Sequence, residues 1–374
     1  MKIRVERDTL ADAVAWAART LPTRPPLPVL ACLVLTASES GLTLSSFDYE
    51  VSSRVEIGAD LDEAGVALVP GRLLADIARA LPGAPVTLQT DGTRLLITCG
   101  RASFRLPTLP VEDYPTLPAM PTSSGTVEGA AFATAVAQVA IAAGRDDTLP
   151  TLTGIRMELE GSTVTLAATD RYRLAVREFT WQSSSASLST QVLVPARTLA
   201  DTAKSLATVD EVVIALASGG AGEGLIGFEG AGRRTTTRLL DGEFPKYRSL
   251  LPSESSAVAT VETAALVETV KRVALVAERN TPIRLAFEGS EVTVRAGAGD
   301  DAQADEAVEC TLDGDPIDIA FNPSYLLDGL TAAAAASTRF SFTQATRPAV
   351  LTGVGEDGTT PDYRYLLMPV RLTG

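Results

Sequence analysis

Two spacings of hydrophobic residues alternate along the chain. Apolar residues at every third or fourth position predict amphipathic helices, and apolar residues at every second position predict strands. In the first third, helical spacing follows Asp8, a residue suited to cap a helix, and starts again near Pro70. Strand-like segments lie at 30–37, 41–47, 51–57, 86–90, 94–99 and 102–106. The pattern therefore predicts a helix, about three strands, a second helix and about three more strands.

The same order occurs twice more, with a period of about 125–130 residues. This period is the size of a domain and far exceeds that of solenoid repeats. The later helical segments lie at 130–143, 195–206, 266–274 and 323–335. We therefore expect three similar domains, each with two helices packed on an antiparallel sheet in an α+β fold. Their predicted bounds are 1–120, 126–252 and 257–374.

The second helix of each domain carries a repeated motif. Residues 68–76, LVPGRLLAD, match residues 193–201, LVPARTLAD, at seven of nine positions. Arg79 and Lys204 then fall at the same distance after the arginine of their copy. A weaker third copy begins at Phe321, and this alignment places Tyr325 where the other copies have arginine. The motif supports the threefold repeat and identifies one basic helix face.

That face allows two interpretations. Arg72, Asp76 and Arg79 lie four and three positions apart, as do Arg197, Asp201 and Lys204, so each trio shares one side of its helix. Each face is either solvated, with an internal Arg–Asp pair, or a cationic surface that contacts phosphates without reading sequence. Arg24, Arg145, Lys271 and Arg272 also lie in or just after predicted helices.

Composition limits the classes of function. The net charge of −14 means that nucleic-acid binding would require basic residues gathered on one surface. The chain has no histidine, which excludes His-based triads and imidazole acid–base catalysis. Three widely separated cysteines favour buried thiols in a reducing compartment. Because the N-terminal sequence lacks a signal-peptide core and no apolar run could cross a bilayer, we expect a cytoplasmic protein.

Two further motifs favour ordinary loops. Residues 222–227 fit GxGxxG, but a strand is predicted to follow and Glu223 would repel phosphate, which favours a hairpin loop over a dinucleotide site. The acidic segment 300–306 lacks the glycine and the spacing of a calcium loop and is predicted to be a solvated turn. We predict no metal and no cofactor.

Three stretches resemble a known family. Residues 168–175 (ATDRYRLA), 240–247 (LDGEFPKY) and 365–372 (YLLMPVRL), together with the threefold repeat, are similar to the bacterial DNA polymerase III beta subunit, the DNA sliding clamp. The resemblance covers essentially the whole chain. It implies a homodimer that forms a six-domain ring, with the helices lining a central hole. It further implies a processivity factor, not an enzyme, that encircles duplex DNA and tethers the replicative polymerase.

The resemblance also implies which residues act. The DNA-facing set would be Arg24, Arg72, Arg79, Arg145, Arg197, Lys204, Lys271 and Arg272. Phe104 and Leu106 would meet Leu275 and Val276 of the partner subunit. A groove would capture a linear peptide of the polymerase III catalytic subunit, the clamp loader and other replication or repair proteins. Its residues would be Leu152, Thr169, Arg171, Tyr172, Arg173, Leu174, Pro245, Leu250, Leu367, Met368, Pro369, Val370 and Arg371.

The chain departs from the family pattern in two places. Arg171 and Tyr172 replace a pair that often comprises a small residue and a histidine, so we expect a bulkier groove rim. Thr373 and Gly374 extend beyond the usual end. Two other functions stay open on the residues alone: a carboxylate-based hydrolase, which would need two converging acids, and an acidic scaffold with no role on DNA.

Overall fold

The computed structural model describes residues 1–216, 224–277, 281–297, 302–360 and 362–371. Its contacts divide the chain into two compact units. Unit 1 comprises Met1–Gly129 with Thr208–Leu239, and unit 2 comprises Ala130–Ala207 with Leu240–Gly374. These units do not coincide with the three predicted domains, because residues 208–239 of the second predicted domain belong to unit 1. The three domain boundaries therefore stay a prediction.

Helices and strands follow the predicted order. The helices of the described residues are α1 (Arg7–Ala17), α2 (Gly71–Ala80), α3 (Gly129–Ala140), α4 (Ala196–Ser205), α5 (Thr263–Val273) and α6 (Pro323–Ala333). The strands up to α3 are β1 (Lys2–Val5), β2 (Cys32–Ser38), β3 (Gly41–Phe47), β4 (Val51–Ile57), β5 (Asp60–Glu63), β6 (Gly65–Pro70), β7 (Val86–Asp91), β8 (Arg94–Cys99), β9 (Ala102–Pro107) and β10 (Ser123–Val127). Those between α3 and α5 are β11 (Gly154–Glu160), β12 (Thr163–Thr169), β13 (Arg173–Thr180), β14 (Gln182–Ser183), β15 (Ser189–Pro195), β16 (Val212–Leu216), β17 (Leu225–Gly230), β18 (Arg233–Arg238) and β19 (Ala257–Glu262). The last are β20 (Ile283–Glu288), β21 (Glu291–Ala296), β22 (Ala304–Gly314), β23 (Ile317–Phe321), β24 (Ser337–Phe342), β25 (Ala349–Val354) and β26 (Tyr363–Leu367).

Antiparallel pairing builds the sheets of both units. Unit 1 contains a sheet of order β5-β1-β7-β8-β9 and a second run of order β10-β16-β17-β18-β4-β3-β2-β6. Unit 2 contains one 12-stranded sheet of order β15-β11-β12-β13-β26-β25-β24-β19-β22-β21-β20-β23. In unit 1, α1 and α2 pack together, and in unit 2, α5 packs on α6. No helix of the described residues is long and apolar enough to span a membrane.

The first helix of each repeat begins after the same two residues, valine and glutamate. In α1 the glutamate is the N-cap residue Glu6, so the predicted cap, Asp8, lies within the first turn and that prediction is wrong. Each helix then buries the residues at the fourth, seventh, eighth and eleventh positions after the glutamate. These buried residues are Leu10, Ala13, Val14 and Ala17; Phe132, Ala135, Val136 and Val139; and Leu266, Thr269, Val270 and Val273. Burying each large apolar side chain contributes about 1.5–3 kcal/mol.

The second helices repeat in the same way, but the third copy is shifted by one residue. Pro70 and Pro195 are the N-cap residues of α2 and α4, whereas Asn322 takes that position in α6. Asn322 accepts hydrogen bonds from the backbone N–H groups of Ser324 and Tyr325, and Pro323 occupies the first helical position, which proline favours.

The buried stripes confirm this register. The first leucine that each helix buries is Leu74 in α2, Leu199 in α4 and Leu326 in α6, each four residues after the N-cap residue. Ser324, not Tyr325, therefore stands where the other copies have arginine, and the alignment made from the sequence is wrong by one position. On the corrected alignment, Asp76, Asp201 and Asp328 are equivalent residues. Tyr325 therefore has no equivalent among the basic residues of α2 and α4.

Candidate partner groove and basic helices

The groove begins where β13 starts and β26 ends. Arg173 pairs with Leu367 and Leu174 with Leu366 across these antiparallel strands. One residue further out, the backbone N–H of Met368 donates to the carbonyl of Tyr172 at 2.9 Å. The pairing therefore holds Tyr172, which is 55% exposed, beside the exposed side chain of Met368.

A tight turn presents Arg171 and Tyr172. The Asp170 carboxylate accepts hydrogen bonds from the backbone N–H groups of Tyr172 (3.0 Å) and Arg173 (3.1 Å). The Thr169 hydroxyl accepts one from the N–H of Arg171 (3.2 Å) and donates to the Arg173 carbonyl (2.7 Å). These bonds hold Arg171 at a φ of 80°, which is unfavourable for a residue with a side chain. The residue types of the ATDRYRLA stretch thus specify one loop conformation.

Arg173 lies beneath this turn and is only 6% exposed. Its Nε donates to Asp170 Oδ2 at 3.0 Å and its Nη1 donates to Asp328 Oδ2 at 2.5 Å. The guanidinium also lies over the Tyr325 ring, 4.3 Å from the centroid. A cation in this position is attracted to the ring face as well as to the two carboxylates. Arg173 therefore joins the turn of β13 to helix α6.

The neighbours of Arg173 offset the cost of burying its charge. Burial alone would lower the pKa of its guanidinium, but Tyr365 and Asp328 raise the pKa above the ordinary arginine value. Because Asp170 and Asp328 both bond to this cation, they form an ion-pair network, which does not suit the acid and base of a hydrolase. Arg173 is therefore bonded within the chain and positions the turn that presents Arg171 and Tyr172.

Helix α6 forms the opposite side of the groove. Gly329 allows the helix to lie close to β26, because a Cβ atom there would lie 2.4 Å from the Tyr365 ring. The Tyr365 hydroxyl donates to the carbonyl of Tyr325 at 2.8 Å, and the ring of Tyr325 stacks on that of Tyr172 with centroids 6.2 Å apart. The resulting cavity has a volume of about 610 Å³. Its lining includes Gly144, Arg145, Leu149, Leu152, Arg171, Tyr172, Ser324 and Tyr325.

The LDGEFPKY stretch is held nearby in the same unit by a buried acid. Glu158 is buried and accepts hydrogen bonds from Arg156 Nε (2.5 Å) and the Tyr247 hydroxyl (3.2 Å), and it forms an ion pair with Arg248 (2.5 Å). Burial would raise the pKa of Glu158, but the two arginines lower it below the ordinary value. Phe244 and Tyr247 pack into an apolar cluster with Leu174 and Leu366. Leu250, in the short helical turn that follows, is left exposed.

The predicted groove residues separate into two groups. Arg171, Tyr172, Pro245, Leu250, Met368, Val370 and Arg371 are exposed and Pro369 is half-buried. Leu152, Thr169, Arg173, Leu174 and Leu367 are buried and support the others. Sequence reasoning missed Tyr325 and Asp328, and the displaced aromatic in the third helix copy was the signal that could have identified them. Thr373 and Gly374 lie outside the described residues.

The predicted DNA-facing cations are all exposed, but their surroundings differ. Arg72 donates to the carbonyls of Leu21 and Pro22 at 3.3 Å, and Arg79, not Arg72, lies near Asp76, at 3.8 Å. No ion pair involving Arg197 or Lys204 is found within the part of the chain that the structure describes. Arg145 lines the groove cavity described above.

The cations of α5 are neutralised within the chain. Lys271 pairs with Glu268 at 2.8 Å, and Arg272 donates to Glu306 at 2.9 and 2.5 Å.

Residues 304–306, predicted to be part of a solvated turn, instead begin β22, because Glu306 pairs in register with Val294. Residues 302 and 303 of that acidic segment have no regular structure, and residues 300 and 301 lie outside the described residues. Of residues 222–227, those from 224 onward are described, and the expected strand, β17, begins at Leu225.

The predicted subunit-contact residues also differ in how exposed they are. Leu275 is 84% exposed, Phe104 is exposed and Val276 is half-buried. Leu106 is 1% exposed within the apolar core of unit 1, so the prediction that it offers a contact surface is wrong. Its neighbour across the strands, Leu95, is buried in the same core. Leu106 therefore anchors β9, the strand that presents Phe104.

Comparison with solved structures defines the class of fold. The chain superposes over its full length on a sliding clamp from Pseudomonas aeruginosa bound to griselimycin, with a TM-score of 0.92, 28% identity and complete coverage of both chains. A Bacillus subtilis DNA polymerase sliding clamp gives a TM-score of 0.92 at 25% identity, covering 100% of this chain and 99% of that one. The predicted α+β sliding-clamp fold of three similar domains is thereby confirmed.

Sequence comparison gives the family. Residues 1–118, 126–246 and 248–371 match the models of the N-terminal, central and C-terminal domains of the DNA polymerase III beta subunit. The beta sliding clamp of Streptomyces coelicolor is 62% identical over 376 residues, with both chains fully covered. The beta sliding clamp homolog GriR of Streptomyces muensis is 48% identical over 373 residues, covering 99% of each chain. The chain belongs to the DNA polymerase III beta subunit family of sliding clamps.

Removing the buried cation tests the role of Arg173. We expect Arg173→Ala to lower the free energy of unfolding by roughly 2–4 kcal/mol, because Asp170 is left partly buried and unpaired. Arg171→Ala, two residues away and exposed, should change it by less than about 1 kcal/mol. Urea denaturation of both variants measures the difference. Equal effects would show that Arg173 does not hold the turn to α6.

The stabilising effect of Glu158 should depend on pH. Because the pKa of Glu158 is lowered in the folded state, its contribution is complete above the unfolded-state pKa and is lost as pH falls below about 4. At pH 7 we expect Glu158→Gln to cost roughly 1–3 kcal/mol. Chemical denaturation across this pH range should show the variant and the parent converging in acid. A constant difference down to low pH would contradict the assignment.

Proposed function

We propose that the protein encircles duplex DNA as a head-to-tail homodimer and acts as a processivity factor, not as an enzyme. The observation that carries the proposal is the family match over all three domains, at 1–118, 126–246 and 248–371. The repeated helices with exposed cations support it, because they supply a basic surface in a chain whose net charge is −14. The acidic remainder of the surface would repel DNA from other faces.

The contact with DNA is weak and independent of base sequence. Arg72, Arg79, Arg197 and Lys204 are exposed on α2 and α4 and approach phosphates across water. Arg24 and Arg145 are exposed as well and add to this set. Lys271 and Arg272 contribute less, because Glu268 and Glu306 already neutralise them. The DNA-binding surface is therefore strongest in the first two repeats.

The groove of unit 2 holds a linear peptide of partner proteins. Tyr172, Leu250, Met368 and Val370 are large exposed apolar residues in one unit, and such residues anchor peptides at interfaces. Arg171 and Arg371 are exposed cations suited to the carbonyls or carboxylates of the peptide. The partners are the polymerase III catalytic subunit, the clamp loader and other replication or repair proteins of the cytoplasm.

The subunit contact involves Phe104 of one protomer and Leu275 and Val276 of the other. Each protomer supplies three domains, with bounds near 120 and 252, so that two protomers complete a ring of six. A ring without an opening requires a separate ATP-driven loader to place it on closed DNA.

Encirclement makes a topological prediction. After loading on nicked circular DNA, the protein should stay bound during gel filtration, and it should be lost when a restriction enzyme linearises the circle, because a ring slides off a free end. The measurement is the fraction of labelled protein that co-elutes with DNA before and after cutting. Retention on both forms would contradict encirclement.

The salt dependence of binding tests the basic helices. Arg197→Gln combined with Lys204→Gln should reduce the slope of log affinity against log salt by roughly 1–2, because released counterions scale with phosphate contacts. Lys271→Gln combined with Arg272→Gln provides a matched control and should change the slope less. Fluorescence anisotropy with duplex DNA gives both slopes. A larger effect of the control pair would mean that α4 does not face DNA.

The groove assignment predicts the effect of a single truncation. Met368→Ala should weaken binding of a polymerase III catalytic-subunit peptide about tenfold or more, since a central apolar anchor is lost. Val66→Ala, also an exposed apolar position, should leave peptide binding unchanged. Calorimetry measures the peptide affinity and sedimentation checks the dimer. Loss of the dimer in Met368→Ala would show that the groove is assigned wrongly.

A further inference from the structure

One pair of antiparallel strands in each unit has the same pairing register but carries different side chains. In unit 2, Leu174 of β13 pairs with Leu366 of β26, and both belong to the apolar cluster closed by Phe244 and Tyr247. In unit 1, the corresponding strands β4 and β18 have the same register, and the pair is Ser52 with Thr236. The next pair on the same face is Val176 with Arg364 in unit 2 and Arg54 with Arg234 in unit 1.

The face that is closed and apolar in unit 2 is therefore polar in unit 1, where it forms an open pocket of about 420 Å³. Segment 117–120 makes one wall, and Gly227 lets that segment lie on the sheet, because a Cβ atom there would lie 2.4 Å from Met120 Sδ. We call this cavity the hydroxyl pocket. Its lining is Val34, Thr36, Ser38, Ser40, Thr43, Ser45, Ser52, Arg54, Leu117, Pro118, Ala119, Met120, Arg234 and Thr236.

Two of the residues that line it carry hydroxyl groups without a hydrogen-bond partner among the described residues. Thr43 is 6% exposed and Ser45 is 7% exposed, and both side chains line the pocket. Neither hydroxyl forms a hydrogen bond with any other residue in the part of the chain that the structure describes. Ser52, by contrast, is bonded to Thr236 at 2.6 Å. Because these two hydroxyl oxygens remain accessible and are not bonded to another described residue, both can donate to a ligand in the pocket.

The two arginines point to the charge of that ligand. Arg54 and Arg234 are direct cross-strand neighbours, and like charges in this arrangement destabilise a sheet. Each has an acidic neighbour, Glu56 at 3.9 Å and Glu229 at 2.8 Å, but neither acid lines the pocket. Within the lining, the charged groups are these two cations. An oxyanion between them would relieve their repulsion.

We propose that the hydroxyl pocket binds a small phosphomonoester. Its phosphoryl oxygens accept hydrogen bonds from the guanidinium groups of Arg54 and Arg234, whose planar donor arrangement matches phosphate. The hydroxyls of Thr43 and Ser45 donate to the same group. Since the cavity is larger than a phosphate ion, the organic part of the ligand lies against Leu117, Pro118 and Met120. This site is independent of the proposed function on DNA.

Titration of the full-length protein tests the ligand class. Phenyl phosphate, inorganic phosphate and phenol are each added at constant ionic strength set with chloride, and calorimetry gives the affinities. We expect phenyl phosphate to bind about tenfold more tightly than inorganic phosphate, because its ring contacts the apolar wall, and phenol not to bind. Failure of phenyl phosphate to bind would overturn the proposal. Equal affinity for the two phosphates would overturn the role of the wall.

Three variants locate the binding. Arg54→Gln and Arg234→Gln should each weaken phenyl phosphate binding about tenfold or more. Arg364→Gln removes the exposed arginine at the matching position of unit 2 and should have no effect. Melting temperatures without ligand check that each variant is folded. Unchanged affinity in Arg54→Gln and Arg234→Gln, or a loss in Arg364→Gln, would place the ligand elsewhere and contradict the proposal.

Discussion

Burial of one apolar stripe on each helix is the constraint on which this fold depends. A helix that is to pack on a sheet must bury residues three and four positions apart, and each first helix does so at the same distance after its glutamate. The opposite face of each helix is then necessarily exposed. Repeating the stripe three times therefore also repeats an exposed face, on which arginine and lysine can be placed without disturbing the core.

The side chains of the equivalent strands differ more between the two units than the buried side chains of the helices do. In unit 2, the paired residues Leu174 and Leu366 are packed with Phe244 and Tyr247. In unit 1, the equivalent pair, Ser52 and Thr236, lines an open cavity. The backbone pairing is the same in both cases, so the difference lies in the side chains and in the segment that covers them. A repeated scaffold can thus carry different surfaces: a closed apolar cluster in unit 2 and an open polar pocket in unit 1.

The helix order and the threefold repeat could be predicted from the sequence, because both depend on local periodicity. The shift of the third helix copy could not, since Pro323 matches Pro195 in the sequence and only the cap of Asn322 shows that it lies one position later. The burial of Arg173 could not be predicted either, because its partner Asp328 is distant in sequence. Leu106 was misassigned for a similar reason: Phe104 and Leu106 lie on the same face of β9, and alternation does not show that the core of unit 1 covers Leu106 but leaves Phe104 exposed.

The central claim is that two protomers close around DNA, and a covalently closed ring tests it most directly. Phe104→Cys and Leu275→Cys in one chain should form two disulfides across the subunit contacts, and the native Cys32, Cys99 and Cys310 are buried. After loading on circular plasmid and oxidation, the protein should stay linked to the DNA in detergent, and reduction or linearisation should release it. Release by detergent alone, with both disulfides formed, would contradict the account.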